Sequence, residues 1–110
     1  MNKKALNFLG LMNRAGALVT GTDLVLNGVR SGKVQMVLID ASVSANTLKK
    51  VTDKCQFYHV PYIKVAEDID LGLTIGSNRK IIGVADQKFA KALREKLETE
   101  LKEAHASEST

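Results

Sequence analysis

The residues whose types and spacing promise chemistry are Gly21-Thr22-Asp23 and the helical pattern they open, which runs to Arg30-Ser31-Gly32. A glycine at a helix start lets a phosphate-bearing partner approach free backbone N–H groups, where the positive end of the helix dipole sits. Asp23, Asn27 and Arg30 are spaced i, i+4, i+7 and share one face, while Val25, Leu26 and Val29 point the other way, toward a core. The chemistry this predicts is docking of a polyanion. The same residues also read as an ordinary amphipathic connector capped by Thr20 or Thr22.

Arg14, Lys33 and Lys64 join Arg30 as candidate phosphate contacts, and Lys49, Lys50 and Lys54 form a further basic cluster on one helix. Catalytic patterns are weaker. His59 and His105 stand in no metal-ligand spacing, so neither a metal nor a cofactor is expected. Asp40, at the carboxyl end of a buried strand, is the most enzyme-like position, because ligands sit outside strand ends in open sheets; capping of the following turn is the simpler role. Glu67, Asp68 and Asp70 suggest a hard-cation site but read equally as charges compensating a helix start. Gly76-Ser77-Asn78-Arg79-Lys80 lacks the glycine spacing of a phosphate loop. An enzyme is not expected.

The elements that must position these residues alternate along the chain. Ala5, Phe8, Leu9 and Met12 fall at helical spacing, with Asn7 and Gly10 interrupting what would otherwise resemble a secretory leader. A short strand follows over 17–20, then the Gly21 helix. The nearly unbroken apolar run at 34–39 predicts a strand covered on both faces at the centre of a sheet. Ser44 or Asn46 caps the next helix, through about Cys55. Pro61 places the strand at 62–65 at its start or at an edge. A short helix over 71–75, a second buried strand at 81–85 and a final helix capped by Asp86 complete the pattern. The implied fold class is α/β, a three-layer α/β/α sandwich with a mixed sheet of about four strands.

Composition agrees with this. The 110 residues are 45% hydrophobic and 25% charged, near the globular average, and suffice for one domain over 1–102 with a flexible tail at 103–110. The formal net charge is +4, and the excess lies in residues 1–80, with 11 Lys/Arg against 6 Asp/Glu. That balance favours a polyanionic partner. A lone Cys55 excludes an intramolecular disulfide and suits a reducing cytosol. No stretch reaches the roughly 20 apolar residues of a membrane span.

Gly21, Gly32, the strand to Ile39, Val60-Pro61-Tyr62, Leu71-Gly72 and Gly76 fall at spacings that resemble the kink-turn RNA-binding ribosomal proteins of archaeal and eukaryotic type. Asn13-Arg14-Ala15-Gly16, Gly21-Thr22-Asp23-Leu24-Val25, residues 46–55 and Val60-Pro61-Tyr62 are more similar still to that family's bacterial branch, called YlxQ. The resemblance implies binding of kinked RNA with tandem sheared G·A pairs, ribosomal RNA included. It also implies two contact regions. In the family an Asn-Glu pair and a following Lys enter the RNA groove; here Asp23, Leu24 and Asn27 hold those places. Asp23 keeps an acceptor but adds charge, Leu24 cannot bond a base edge, and Asn27 lacks the cation. Gly21 and Thr22 retain contacts that position RNA without reading it. The second region is an apolar loop packing on unstacked nucleotides, here Val65-Ala66-Glu67, although Val65 and Ala66 also read as a strand end closing a core and Glu67 as a cap.

The expected protein is thus a cytosolic, monomeric, non-catalytic RNA-binding protein with no DNA or membrane partner. Two rivals stand beside it: a protein-interaction module anchored by Leu24, and a nucleotide-using enzyme built on Asp40 and the acidic cluster.

Overall fold

Two apolar quartets, Met36–Ile39 and Ile81–Val84, organise the chain because each is buried on both faces. The computed structural model describes residues 3–65, 71, 75–76 and 79–96. Its elements run α1 (Lys3–Arg14), β1 (Leu18–Thr20), α2 (Thr22–Ser31), β2 (Met36–Ile39), α3 (Ala45–Phe57), β3 (Tyr62–Lys64), β4 (Ile81–Val84) and α4 over 87–96. Leu71 and Ile75 are also helical. The sheet order is β1-β4-β2-β3, with β4 antiparallel to both neighbours and β2 parallel to β3. The mixed sheet and its helical layers are those expected from the sequence.

Side-chain alternation along the central strands sorts the core. Met36, Leu38, Ile82 and Val84 join Leu9, Met12, Leu71 and Leu93 in one layer. Val37, Ile39 and Ile81 join Val25, Val29, Val51 and Cys55 in the other. Each fully buried Leu or Ile contributes about 1.5–3 kcal/mol relative to exposure. Burial pushes the Cys55 thiol up to about 11, so it is a small apolar residue at neutral pH. Phe8 and Phe89 meet edge to face at 5.6 Å, and Lys96 Nζ lies 4.6 Å from the Phe8 ring centroid.

Caps fix where the helices start. Ser44 Oγ accepts the Thr47 N–H at 3.2 Å, and Asp86 Oδ1 accepts the Phe89 N–H at 2.9 Å. Thr20 and Thr22 do not cap α2: Gly21 is its N-cap residue, and among the described residues no side chain bonds that end. Pro61 directly precedes β3, the edge strand next to β2, and its carbonyl accepts the Val37 N–H at 3.0 Å. Proline has no N–H to give, but its C=O still serves the ladder. The expected tail at 103–110 lies outside the described residues.

Candidate nucleic-acid interface

Strand register decides which loops meet. Ile81 pairs with Ile39, Thr20 with Ile82, and Ile39 with Lys64. One end of the sheet therefore gathers Gly21, Asp40, Lys64, Val65, Arg79 and Lys80, residues far apart in the chain.

At this end Gly21 has φ 96° and ψ 144°, a backbone state that a side chain would strain. Its N–H donates to Ile81 C=O at 2.9 Å and its C=O accepts from Val25 N–H at 3.0 Å, locking the helix start to β4. Among the described residues no side chain caps the N–H groups of Thr22, Asp23 and Leu24, which open the helix. They face outward at the positive end of the dipole, an arrangement suited to a phosphate. A Cβ on Gly21 would lie 3.9 Å from Arg79 Cδ and Nε, so the guanidinium arm passes beside the helix start. Packing of α2 is much tighter below: a Cβ on Gly28 would sit 2.4 Å from Val34 Cγ2, so only glycine lets the helix come this close.

Asp40 holds the neighbouring loop. Its side chain is only 6% exposed; Oδ1 accepts from Ser42 N–H at 2.9 Å and Ser42 Oγ–H at 2.6 Å, and Oδ2 accepts from Leu71 N–H at 3.1 Å. Burial raises its pKa, but the Ser42 and Leu71 hydrogen bonds and the Lys80 charge outweigh burial and hold it below the ordinary value. Lys80 Nζ donates to Ser42 C=O at 3.3 Å, and Lys80 C=O accepts the Asp40 N–H at 2.8 Å. Every described donor to the Asp40 carboxylate is structural, which makes it a turn-capping group.

The predicted site residues separate into groups. Asp23, Leu24, Asn27 and Arg30 are exposed along α2, with Leu24 63% exposed, while Val25 and Val29 are buried, as their spacing requires. Leu24, Asn27, Arg30 and Lys33 line one shallow groove of about 340 Å³ with Val19. Arg30 lies in the last turn of α2, about 12 Å along its axis from Thr22 at 1.5 Å per residue, and Lys33 follows just past the helix end. Arg14 ends α1, where its charge complements the dipole. Val65 departs from its expected role: its side chain is 4% exposed and packs in the core with Leu71, Ile75 and Ile82. It anchors the loop and offers no apolar surface, because β3 ends there and its N–H donates to Ile39 C=O at 2.9 Å. Ala66 and Glu67, with the acidic cluster, lie outside the described residues. Arg79 is the site residue that spacing did not reveal; only the β1–β4 pairing brings it to Gly21.

Among the described residues no group of three His, Cys, Asp or Glu side chains is placed to hold a metal. No described helix is long and apolar enough to cross a membrane.

Residues 3–94 match the ribosomal protein L7Ae/L30e/S12e/Gadd45 family, and the chain belongs to that family. It is 48% identical over 86 residues to the RNA-binding protein YlxQ of Bacillus subtilis, an overlap covering 77% of this chain and 86% of that protein. It is 38% identical over 96 residues to the YlxQ protein of Enterococcus faecium, covering 87% and 93% of the two chains. A solved Bacillus halodurans protein of unknown function superposes with TM-score 0.80 at 37% identity, over 86% of this chain and 96% of that one. The Giardia lamblia 15.5 kD RNA binding protein, at 18% identity and TM-score 0.72 over 86% of each chain, shares the fold. Family and relatives together make the chain a YlxQ-like, non-enzymatic member, as its motifs led one to expect.

Proposed function

We propose that this protein binds structured RNA and stabilises a kink-turn-like bend, acting as a cytosolic monomer on ribosomal or similarly folded RNA. The observation that carries the proposal is the helix start at Gly21, open to an anion and flanked by Arg79. Relatives named as RNA-binding proteins support RNA as that anion's source.

In this mechanism the basic body attracts RNA, the N–H groups after Gly21 hold a phosphate, and Asp23, Leu24 and Asn27 lie against the groove. Ala66 and Glu67, which follow Val65 in the sequence, support the bend. A protein that binds the bent form better than the extended form shifts the population by that difference in affinity and needs no chemical step. Contacts to phosphate position the RNA, whereas Leu24 at a base-reading place relaxes direct readout.

End-to-end fluorescence distances on a doubly labelled kink-turn RNA test this. Shortening on saturation with protein is expected, and an RNA that stays extended would refute it. Leu24 exposure favours one other reading, an apolar anchor for a protein partner. Leu24→Glu separates the two: it abolishes docking to a protein, while RNA binding through Gly21 changes little.

A further inference from the structure

The opposite end of the sheet carries a second cationic surface, which the Gly21 site does not use. There α2 and α3 end, α4 begins, and Gln35 and Pro61 lead into the parallel strands β2 and β3. A cleft of about 560 Å³ opens between them, lined among others by Arg30, Tyr58, His59, Pro61, Lys91 and Arg94. It continues past His59, Pro61 and Arg94 into an open groove of about 570 Å³ that reaches Tyr62. Among the described residues no carboxylate lines either one.

Its cations come from separate elements. Arg30 sits in the last turn of α2, and Lys91 and Arg94, at i and i+3, share a face of α4. His59 adds a titratable ring at the mouth. It is the single described residue other than glycine with positive φ, at 58°. Val60 N–H donates to Cys55 C=O at 2.8 Å and His59 N–H to Gln56 C=O at 3.3 Å, the pair of bonds that closes a helix on a left-handed residue.

Aromatic surface borders the cations. Phe57 is 75% exposed and rests edge-on against Tyr58 with ring centroids 4.9 Å apart. Tyr62 is 37% exposed, and its hydroxyl accepts from Gln56 Nε2 at 2.8 Å, which holds the ring in place. Cations tracking a backbone beside exposed rings is the composition of a single-strand platform, since every base has a face to stack. The cleft is sized for a nucleotide and not for a duplex.

We propose that this cleft is a second RNA contact, holding single-stranded RNA by its phosphates on Arg30, Lys91 and Arg94, with bases against Tyr58 and Tyr62. A bent RNA on the Gly21 end and a flanking single strand on this end would then be held by one domain.

Anisotropy titration with a labelled oligouridylate of roughly 12 nucleotides, within the usual single-strand site size, tests it. Wild-type protein is expected to bind with strong salt dependence. Lys91→Glu/Arg94→Glu is expected to weaken binding at least about tenfold, and loss of two phosphate contacts makes the salt slope shallower by about 1.4. Tyr62→Ala is expected to cost about tenfold. Affinity for a kink-turn duplex without single-stranded flanks stays unchanged in the aromatic variant and falls much less than oligouridylate affinity in the double charge reversal, which removes only long-range attraction. Oligouridylate should shift the amide resonances of Tyr58, His59 and Lys91 and leave those of Thr22 and Asp23 in place. Unchanged oligouridylate affinity in the double variant overturns the proposal, as does equal competition by polyglutamate, which assigns the cleft to acidic protein segments. Oligouridylate binding lost with the cations supports the cleft even where kink-turn RNA fails to bind, so the two readings stand or fall separately.

Discussion

At its N-terminus α2 starts on Gly21 with no side chain of the described residues bonded to its first N–H groups, whereas at its C-terminus Gly32, with φ 81°, turns its own N–H back to Val29 C=O at 3.3 Å. The first end leaves backbone donors for another molecule; the second satisfies a backbone acceptor within the chain. Around Gly21 the proposed recognition surface is therefore backbone, with Arg79 beside it. Around Gly32 it is side chain, supplied by Arg30, Lys91 and Arg94. A glycine cap forgoes only a few tenths of a kcal/mol relative to a capping side chain, so the Gly21 end offers its backbone to an anion at little cost to the fold.

Asp40→Ala should have the largest effect. It removes three hydrogen bonds to a carboxylate and strands the buried Leu71 N–H, a loss of about 3 kcal/mol read as a lower urea midpoint. The pH dependence has a definite sign. Because the folded pKa of Asp40 lies below the ordinary value of 3.8, its contribution is present above that value and is lost as pH falls through the folded pKa. Stability of the wild type should thus fall on acidification below about pH 4, with a weaker fall in Asp40→Asn.

Gly21→Ala and Gly32→Ala form the next pair. Both strain a positive φ, at about 2 kcal/mol for Gly21 and about 1 kcal/mol for Gly32 in thermal unfolding. Only Gly21→Ala should also weaken binding of kink-turn RNA, and equal effects of the two on binding would erase the contrast between the ends. Arg79→Ala should weaken kink-turn RNA by about tenfold, or 1.4 kcal/mol, one charge-assisted contact, while oligouridylate binding holds. The smallest effect belongs to His59→Gly. Relief of a left-handed non-glycine residue should stabilise the fold by up to about 1 kcal/mol in denaturant titration, while oligouridylate binding weakens slightly.

Legibility in the sequence followed the range of the interaction. β2 was plain as an apolar run, Ser44 and Asp86 as local caps, and the Val25/Val29 and Asp23/Asn27 faces of α2 as a helical period. Each depends on neighbours within a few residues. Arg79 beside Gly21 depends on β1 pairing antiparallel with β4 across some 60 residues, and periodicity carries no information about pairing partners. Asp40 was readable as a turn cap but not as a tie to Leu71, 31 residues on. Val65 was readable both as a contact and as core, and burial chose core. His59 gave no signal, because nothing in its local pattern demands a left-handed residue that is not glycine.

The central claim is that the Gly21 end recognises bent RNA despite Asp23, Leu24 and Asn27. Titration of the protein onto a kink-turn RNA and a control with its G·A pairs disrupted, at low and high salt, tests it most directly. A preference for the intact motif that survives high salt is the predicted result, because shape-fitted contacts add to the phosphate attraction. Equal affinity for both RNAs, vanishing as salt rises, would contradict it and leave only a polyanion-binding surface.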